Sequence, residues 1–115
     1  YYREDRIKRI DSCFKAIPIK KNMFWSDCPE SDHYNQLLRF KDISYESLYK
    51  EDNTYDIVLV INYNINPAIK NKGSAIFIHL AKKNFLPTAG CIAITKNSFI
   101  SILKYLSLAD KIKII

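Results

Sequence analysis

Apolar positions change their pattern near residue 56. Before it, short apolar pieces are separated by turn-formers. Met23–Arg39 sets Met23, Phe24 and Trp25 and then Leu37 and Leu38 around a middle of Ser, Asp, Pro, Glu and Asn, which predicts a strand, an ordered loop and another strand. Ile43–Lys50 predicts one or two helical turns, with Ser44 as cap and Glu46 near the favourable end of the helix dipole. From Asp56 to Tyr63 the chain is β-branched and almost wholly apolar, as a strand buried on both faces requires, and this predicts a central strand. Asn64–Lys72 has the Asn, Lys and Pro content of a connection, closed by Gly73. Ser74–Leu80 predicts a second strand, whose alternation puts Ala75, Phe77 and His79 on one face and Ile76, Ile78 and Leu80 on the other. A loop with Pro87 and Gly90 leads to a third strand, Cys91–Thr95. Asn97–Leu108 then carries Phe99, Ile100, Leu103 and Leu106 at helical spacing, with Asn97 or Ser98 as N-cap. Asp110 marks a turn before a final short strand, Ile112–Ile115. The sum is a mainly β chain with one C-terminal amphipathic helix and short helical turns.

Composition narrows the class. At 115 residues, 48% hydrophobic and 26% charged, the chain is one domain (1–115) with enough apolar material for a modest core, not a disordered or disulfide-built protein. Its longest apolar run stops at Asn62, far short of the roughly 18 to 20 residues of a membrane helix, so no stable membrane insertion is expected. It begins at Tyr1, its single Met is Met23, and the expectation is an excerpt or processed piece lacking its own start. The net charge is +6, of which the first 22 residues hold 7 − 3 = +4. That strip reads either as a solvated surface or as an anion-facing one. It lacks the interleaved aromatics of a base-stacking platform, so nucleic acid is not the expected partner. Three cysteines, Cys13, Cys28 and Cys91, leave at least one thiol free. With no CxxC or HxxxH spacing, a metal is not expected.

One pair carries candidate chemistry. Cys91 follows Gly90 where a loop meets a strand, and His79 lies near the end of the preceding strand, so adjacent strands can bring thiol and imidazole together. A neighbouring imidazole lowers a thiol's pKa and stores its proton, which predicts that Cys91 is alkylated before Cys28 at slightly acidic pH. Gly90 leaves backbone amides open to an oxyanion, and Thr88 is placed to hydrogen-bond within the loop. The alternative is a small buried cysteine beside a satisfied strand histidine. Trp25, Tyr34 and Tyr45 either wall a groove or pack the core.

The string Gly73-Ser-Ala-Ile-Phe-Ile-His79, followed by Pro87-Thr-Ala-Gly-Cys-Ile-Ala93, resembles the signature of the L,D-transpeptidase (YkuD-like) catalytic domain, in which a histidine precedes a loop and Ser/Thr-x-Gly-Cys. The likeness extends through Tyr2–Arg6, Trp25–Asp27, Tyr34-Asn35, Ser44–Glu46, Tyr55-Asp56 and Tyr63-Asn64. Many members have Gly after the histidine and Arg two positions after the cysteine, where this chain has Leu80 and Ala93, which suggests a divergent branch. The resemblance implies a YkuD-like β-sandwich, N-terminally incomplete here, in the bacterial cell envelope. It implies an enzyme in which Cys91 attacks the carbonyl between diaminopimelate and D-Ala of a peptidoglycan stem peptide. His79 would move the proton and the amides of Gly90 and Cys91 would hold the oxyanion. Thr88, Ser74, Phe77 and Trp25 would support the loop or the substrate. Transfer to an amine gives a cross-link, and transfer to water gives carboxypeptidase activity. A non-catalytic cell-wall-binding module and a basic nucleic-acid binder stand as the other readings. No oligomeric state follows from the residues.

Overall fold

The computed structural model describes residues 1–82 and 88–113. Among them the chain is mainly β, with two small sheets and one short helix. Strands β1 (Phe24–Ser26), β2 (Leu37–Leu38) and β3 (Tyr45–Ser47) form the first sheet in the order β2-β1-β3, antiparallel throughout. Strands β4 (Leu59–Val60), β5 (Phe77–Leu80) and β6 (Ile92–Ile94) form the second, with β5 in the middle, antiparallel to β4 and parallel to β6.

The expected alternation in β5 governs the packing. Phe77 belongs to a cluster with Trp25, Met23, Leu48, Tyr55 and Val58, which fills the space between the sheets. Ile78 and Leu80 turn the other way and join Ile7, Ile57, Phe99 and Leu103 beneath helix α1 (Lys96–Leu103). Phe77 and Phe99 are both fully buried, one in each cluster, and each contributes on the order of 2–3 kcal/mol by leaving water. The strand is therefore buried on both sides by unrelated sets of residues.

Four expectations need correction. Ile43–Lys50 is not helical: Tyr45–Ser47 forms β3 because Glu46 and Tyr45 find ladder partners in Trp25 and Ser26, and that pairing outweighs a weak local preference. The Asp56–Tyr63 run contributes only the two residues of β4 to a ladder, at one side of the second sheet. Its preceding residues are covered instead by the first residues of the chain, where Arg3 N donates to Asp56 O at 2.8 Å and Val58 N donates to Tyr1 O at 2.8 Å. The helix starts and ends earlier than its apolar spacing predicts. Thr95 is the cap, its Oγ1 accepting from Ser98 N at 3.3 Å, and the turn closed by Ser107 N on Asp110 Oδ2 at 2.8 Å follows the helix. Of the final expected strand, Ile112 and Lys113 are not in a strand, and Ile114 and Ile115 lie outside the described residues.

A buried amide cross-braces the first sheet to the second. Asn35, 2% exposed, accepts from Trp25 Nε1 at 2.8 Å and from Ala75 N at 3.1 Å, and its Nδ2 donates to Asn64 O at 2.6 Å and Tyr63 O at 3.2 Å. Gly73 follows at φ +118°, and a Cβ there would lie 2.9 Å from Tyr63 Cε1, so the chain can enter β5 in this way only with glycine. Among the described residues no helix is long and apolar enough to cross a membrane.

Candidate active site

Parallel pairing sets His79 opposite Ala93 and Ile78 opposite Ile92. One step back, Cys91 sits beside Phe77, whose backbone N–H meets the Cys91 sulfur at 3.4 Å. Residues paired across a ladder share a face, so Cys91, Ala93, Phe77 and His79 all face the first sheet. Glu46 enters the same gap from β3, since it pairs with Trp25, whose ring stacks edge-on against Phe77 with centroids 5.2 Å apart.

A cavity of about 280 Å³ opens over this face. Cys91, His79, Ala93, Ser74, Thr88 and Ala89 line it from the second sheet and its loop. Asp27, Glu46, Lys50, Thr54 and Tyr55 line it from the first sheet and the chain that follows, and Lys82, two residues beyond β5, lines it as well. The structure thus brings Cys91, His79, Thr88 and Ser74 to one space. Gly90 adjoins it at φ +126°, where a Cβ would make an ordinary contact with Ile76 at 3.5 Å, so glycine is favoured by the backbone and not by crowding. Trp25 and Phe77 do not line the cavity. They are buried beneath it and support β5 as core residues. Tyr34 is buried too, while Tyr45 is partly exposed and packs on Phe24. Pro87 lies outside the described residues.

The imidazole is 95% buried, and its Nδ1 lies 2.9 Å from Leu80 O. A carbonyl oxygen only accepts, so Nδ1 carries a proton there, and in the neutral ring Nε2 is the accepting nitrogen. Tyr55 packs edge-on against the ring, centroids 5.6 Å apart. Its hydroxyl donates to Glu46 Oε1 at 3.0 Å, and Lys50 Nζ bridges the same oxygen at 2.9 Å. Burial first, and then the Glu46 carboxylate, pushes the Tyr55 phenol far above its ordinary range.

The thiol differs from the activated nucleophile that the spacing led one to expect. Cys91 Sγ donates to Ala75 O at 3.1 Å, and among the described residues no hydrogen bond joins it to His79. Half-burial pushes its pKa up, the Phe77 N–H opposes that shift, and the Glu46 carboxylate adds to it. The resting sulfur is therefore protonated at neutral pH. The loop before it is braced from within: Thr88 Oγ1 donates to Cys91 O at 2.6 Å and accepts from Gly90 N at 3.4 Å. The Gly90 amide is thereby partly engaged, and an oxyanion would have to compete with Thr88 for it.

Glu46, Tyr55, Lys50, Thr54 and Lys82 belong to the site although their spacing gave no sign of it. They reach it through contacts distant in the chain: the register of β3 on β1 places Glu46, and the bond from Leu80 N to Thr54 O at 3.0 Å ties the 50–55 segment to the end of β5. Among the described residues no three His, Cys, Asp or Glu side chains gather as a metal site. Family models, curated proteins and solved structures give no match to this chain.

Proposed function

We propose that this chain is a cysteine-dependent acyl-transfer enzyme of the L,D-transpeptidase kind, acting on peptidoglycan stem peptides in the bacterial cell envelope. The observation that carries the reading is the common face of Cys91 and His79 at one cavity, with Nδ1 of the imidazole occupied by Leu80 O and Nε2 left as the base. In this reading Nε2 takes the proton as Cys91 Sγ attacks the carbonyl between diaminopimelate and D-Ala. The C–N bond then breaks, the proton passes to the departing D-Ala amine, and the acyl group remains on sulfur as a thioester. An incoming amine or water, deprotonated by the same nitrogen, takes the acyl group and restores the thiol. Because the resting sulfur is protonated, its thiolate forms as substrate binds and not before.

A second reading has its own support. A thiol donating to Ala75 O, pushed up in pKa and without a hydrogen bond to the imidazole, also suits a non-catalytic module that binds cell-wall peptide in the cavity. One experiment separates the two. The protein incubated with a diaminopimelate-containing tetrapeptide should release D-Ala. Cys91→Ala and Cys91→Ser should abolish release, and Cys28→Ala should preserve it. A carbapenem should add its mass at Cys91. A folded protein that binds the tetrapeptide, releases no D-Ala and gains no adduct is the binding module.

A further inference from the structure

Helix α1 covers the second sheet on the side away from the cavity, and the chain around its end carries apolar side chains that nothing covers. Phe99 and Leu103 turn inward to Ile78 and Leu80. Ile102 and Tyr105 face solvent one turn apart, with Tyr105 N donating to Ile102 O at 3.0 Å. Tyr105 is 84% exposed and Leu108 90%, and Ile112 is exposed as well. Folding buries little of these four side chains, and a group of this kind on a surface marks a place of contact.

The basic strip at the start of the chain runs beside them. Ile10 and Phe14 pack against the same apolar cluster as α1, and Cys13 Sγ donates to Leu106 O at 3.0 Å. The segment that carries Lys8, Arg9 and Lys15 thus lies alongside the helix end, which continues through Lys104, Lys111 and Lys113. All six cations are exposed, and among the described residues none of them is in an ion pair. The acids of segments 8–16 and 102–113 are Asp11 and Asp110, and Asp110 turns back on its own backbone, accepting from Ser107 N at 2.8 Å. One face therefore combines positive charge with exposed aliphatic and aromatic side chains.

We propose that this face adsorbs to an anionic lipid bilayer, with its cations over the lipid phosphates and Ile102, Tyr105 and Leu108 in the headgroup layer. A Lys or Arg near such a surface contributes about fivefold in affinity, and the apolar side chains add what charge alone does not. A nucleic-acid backbone would match the cations but leave Ile102 and Leu108 without a partner, and the strip lacks stacking aromatics. A second copy would set like charges against each other across a two-fold axis. The cavity opens on the opposite side of β5, so a protein held in this way presents Cys91 and His79 away from the bilayer. Adsorption requires no reaction at Cys91 and stands apart from the acyl-transfer reading.

Co-sedimentation of the full chain with vesicles of phosphatidylcholine, alone or with about 30% phosphatidylglycerol, tests this. The anionic vesicles should bind the protein and the neutral ones should not, and affinity should fall about tenfold or more between about 0.05 and 0.5 M NaCl. Lys104→Gln/Lys111→Gln should weaken binding about twentyfold. Lys70→Gln/Lys72→Gln removes the same charge from the loop that Asn64 braces, and should change it less than about twofold. Leu108→Asn should weaken it severalfold with no change of charge. All these positions are exposed, so none of the variants disturbs the core. No binding to anionic vesicles, equal binding to neutral ones, or equal losses from the two double variants overturns the proposal. Vesicle binding that Leu108→Asn leaves intact marks a plain polyanion surface and overturns it, as does duplex DNA bound more tightly than the vesicles. A dimer that forms as concentration rises and that Leu108→Asn dissolves assigns the face to a second copy instead.

Discussion

The Cys91 thiol donates to the Ala75 carbonyl oxygen at 3.1 Å, a bond that thiolate formation must break. Burial and the Glu46 charge add to that cost, so the folded protein keeps sulfur protonated above the ordinary thiol range. Alkylation of Cys91 should therefore be slow at neutral pH and climb about tenfold per pH unit until its raised pKa is passed. Exposed Cys13 should react first, contrary to the order that a resting Cys–His pair would give. Glu46→Gln should speed labelling of Cys91 a few-fold by removing the charge. Mass mapping after timed iodoacetamide treatment reads both results, and preferential labelling of Cys91 at pH 6 contradicts them.

Tyr55 gives the fold a specific weakness in alkali. Its folded-state pKa is raised, so its contribution is fully present below the unfolded value of about 10 and is lost as pH rises beyond it, when the unfolded chain ionises and the native phenol does not. Urea midpoints should fall between roughly pH 9.5 and 11. Tyr55→Phe should cost about 1 kcal/mol at pH 7 through the lost bond to Glu46, and should flatten that fall. An unchanged alkaline slope in the variant would assign the weakness to other groups.

Asn35 is the residue whose loss should hurt most outside the apolar core. Asn35→Leu leaves the Trp25 indole N–H, the Ala75 N–H and two carbonyls without partners, at about 1–3 kcal/mol for each group left buried. Its φ of 59° adds a preference for Asn over a branched side chain. Chemical denaturation should show a loss of about 3 kcal/mol or more. A loss below about 1 kcal/mol would mean that water replaces the amide.

Thr54→Val should do the opposite. Without ligand the orphan hydroxyl only costs desolvation, and an isosteric methyl removes that cost, so stability should rise by about 1 kcal/mol. A gain in stability would mark a polar group that folding alone does not require. A destabilised variant would show instead that Oγ1 has a partner in solution.

What the sequence made legible follows from periodicity. Alternation in Ser74–Leu80 set Phe77 and His79 against Ile78 and Leu80, and the two clusters of the core divide along that line. Cys91 and His79 could be paired because only a loop separates their strands. Position 46 could not be read locally, since a capped Ser-Tyr-Glu segment suits a helix start as well as a strand. Only Trp25, twenty-one residues earlier, decides the matter by offering it a ladder. Asn35 and Thr54 left no periodic trace, because each matters through partners, or the want of one, that are distant in the chain. The helix was found by its period and misplaced at both ends, since Thr95 competes with Asn97 and Ser98 as a cap by geometry that composition does not reveal.

The parallel register of β5 and β6 has a consequence for how the chain can vary. Neighbouring positions on β6 face opposite clusters, so sliding β6 by a single residue would carry the Cys91 sulfur from the cavity to the greasy side under α1 and bring Ile92 into its place. Loop length between the strands can drift freely provided the ladder re-forms in the same step. A lineage could then gain or lose residues there and keep its thiol in position, whereas one shifted pairing would silence it without altering a single side chain.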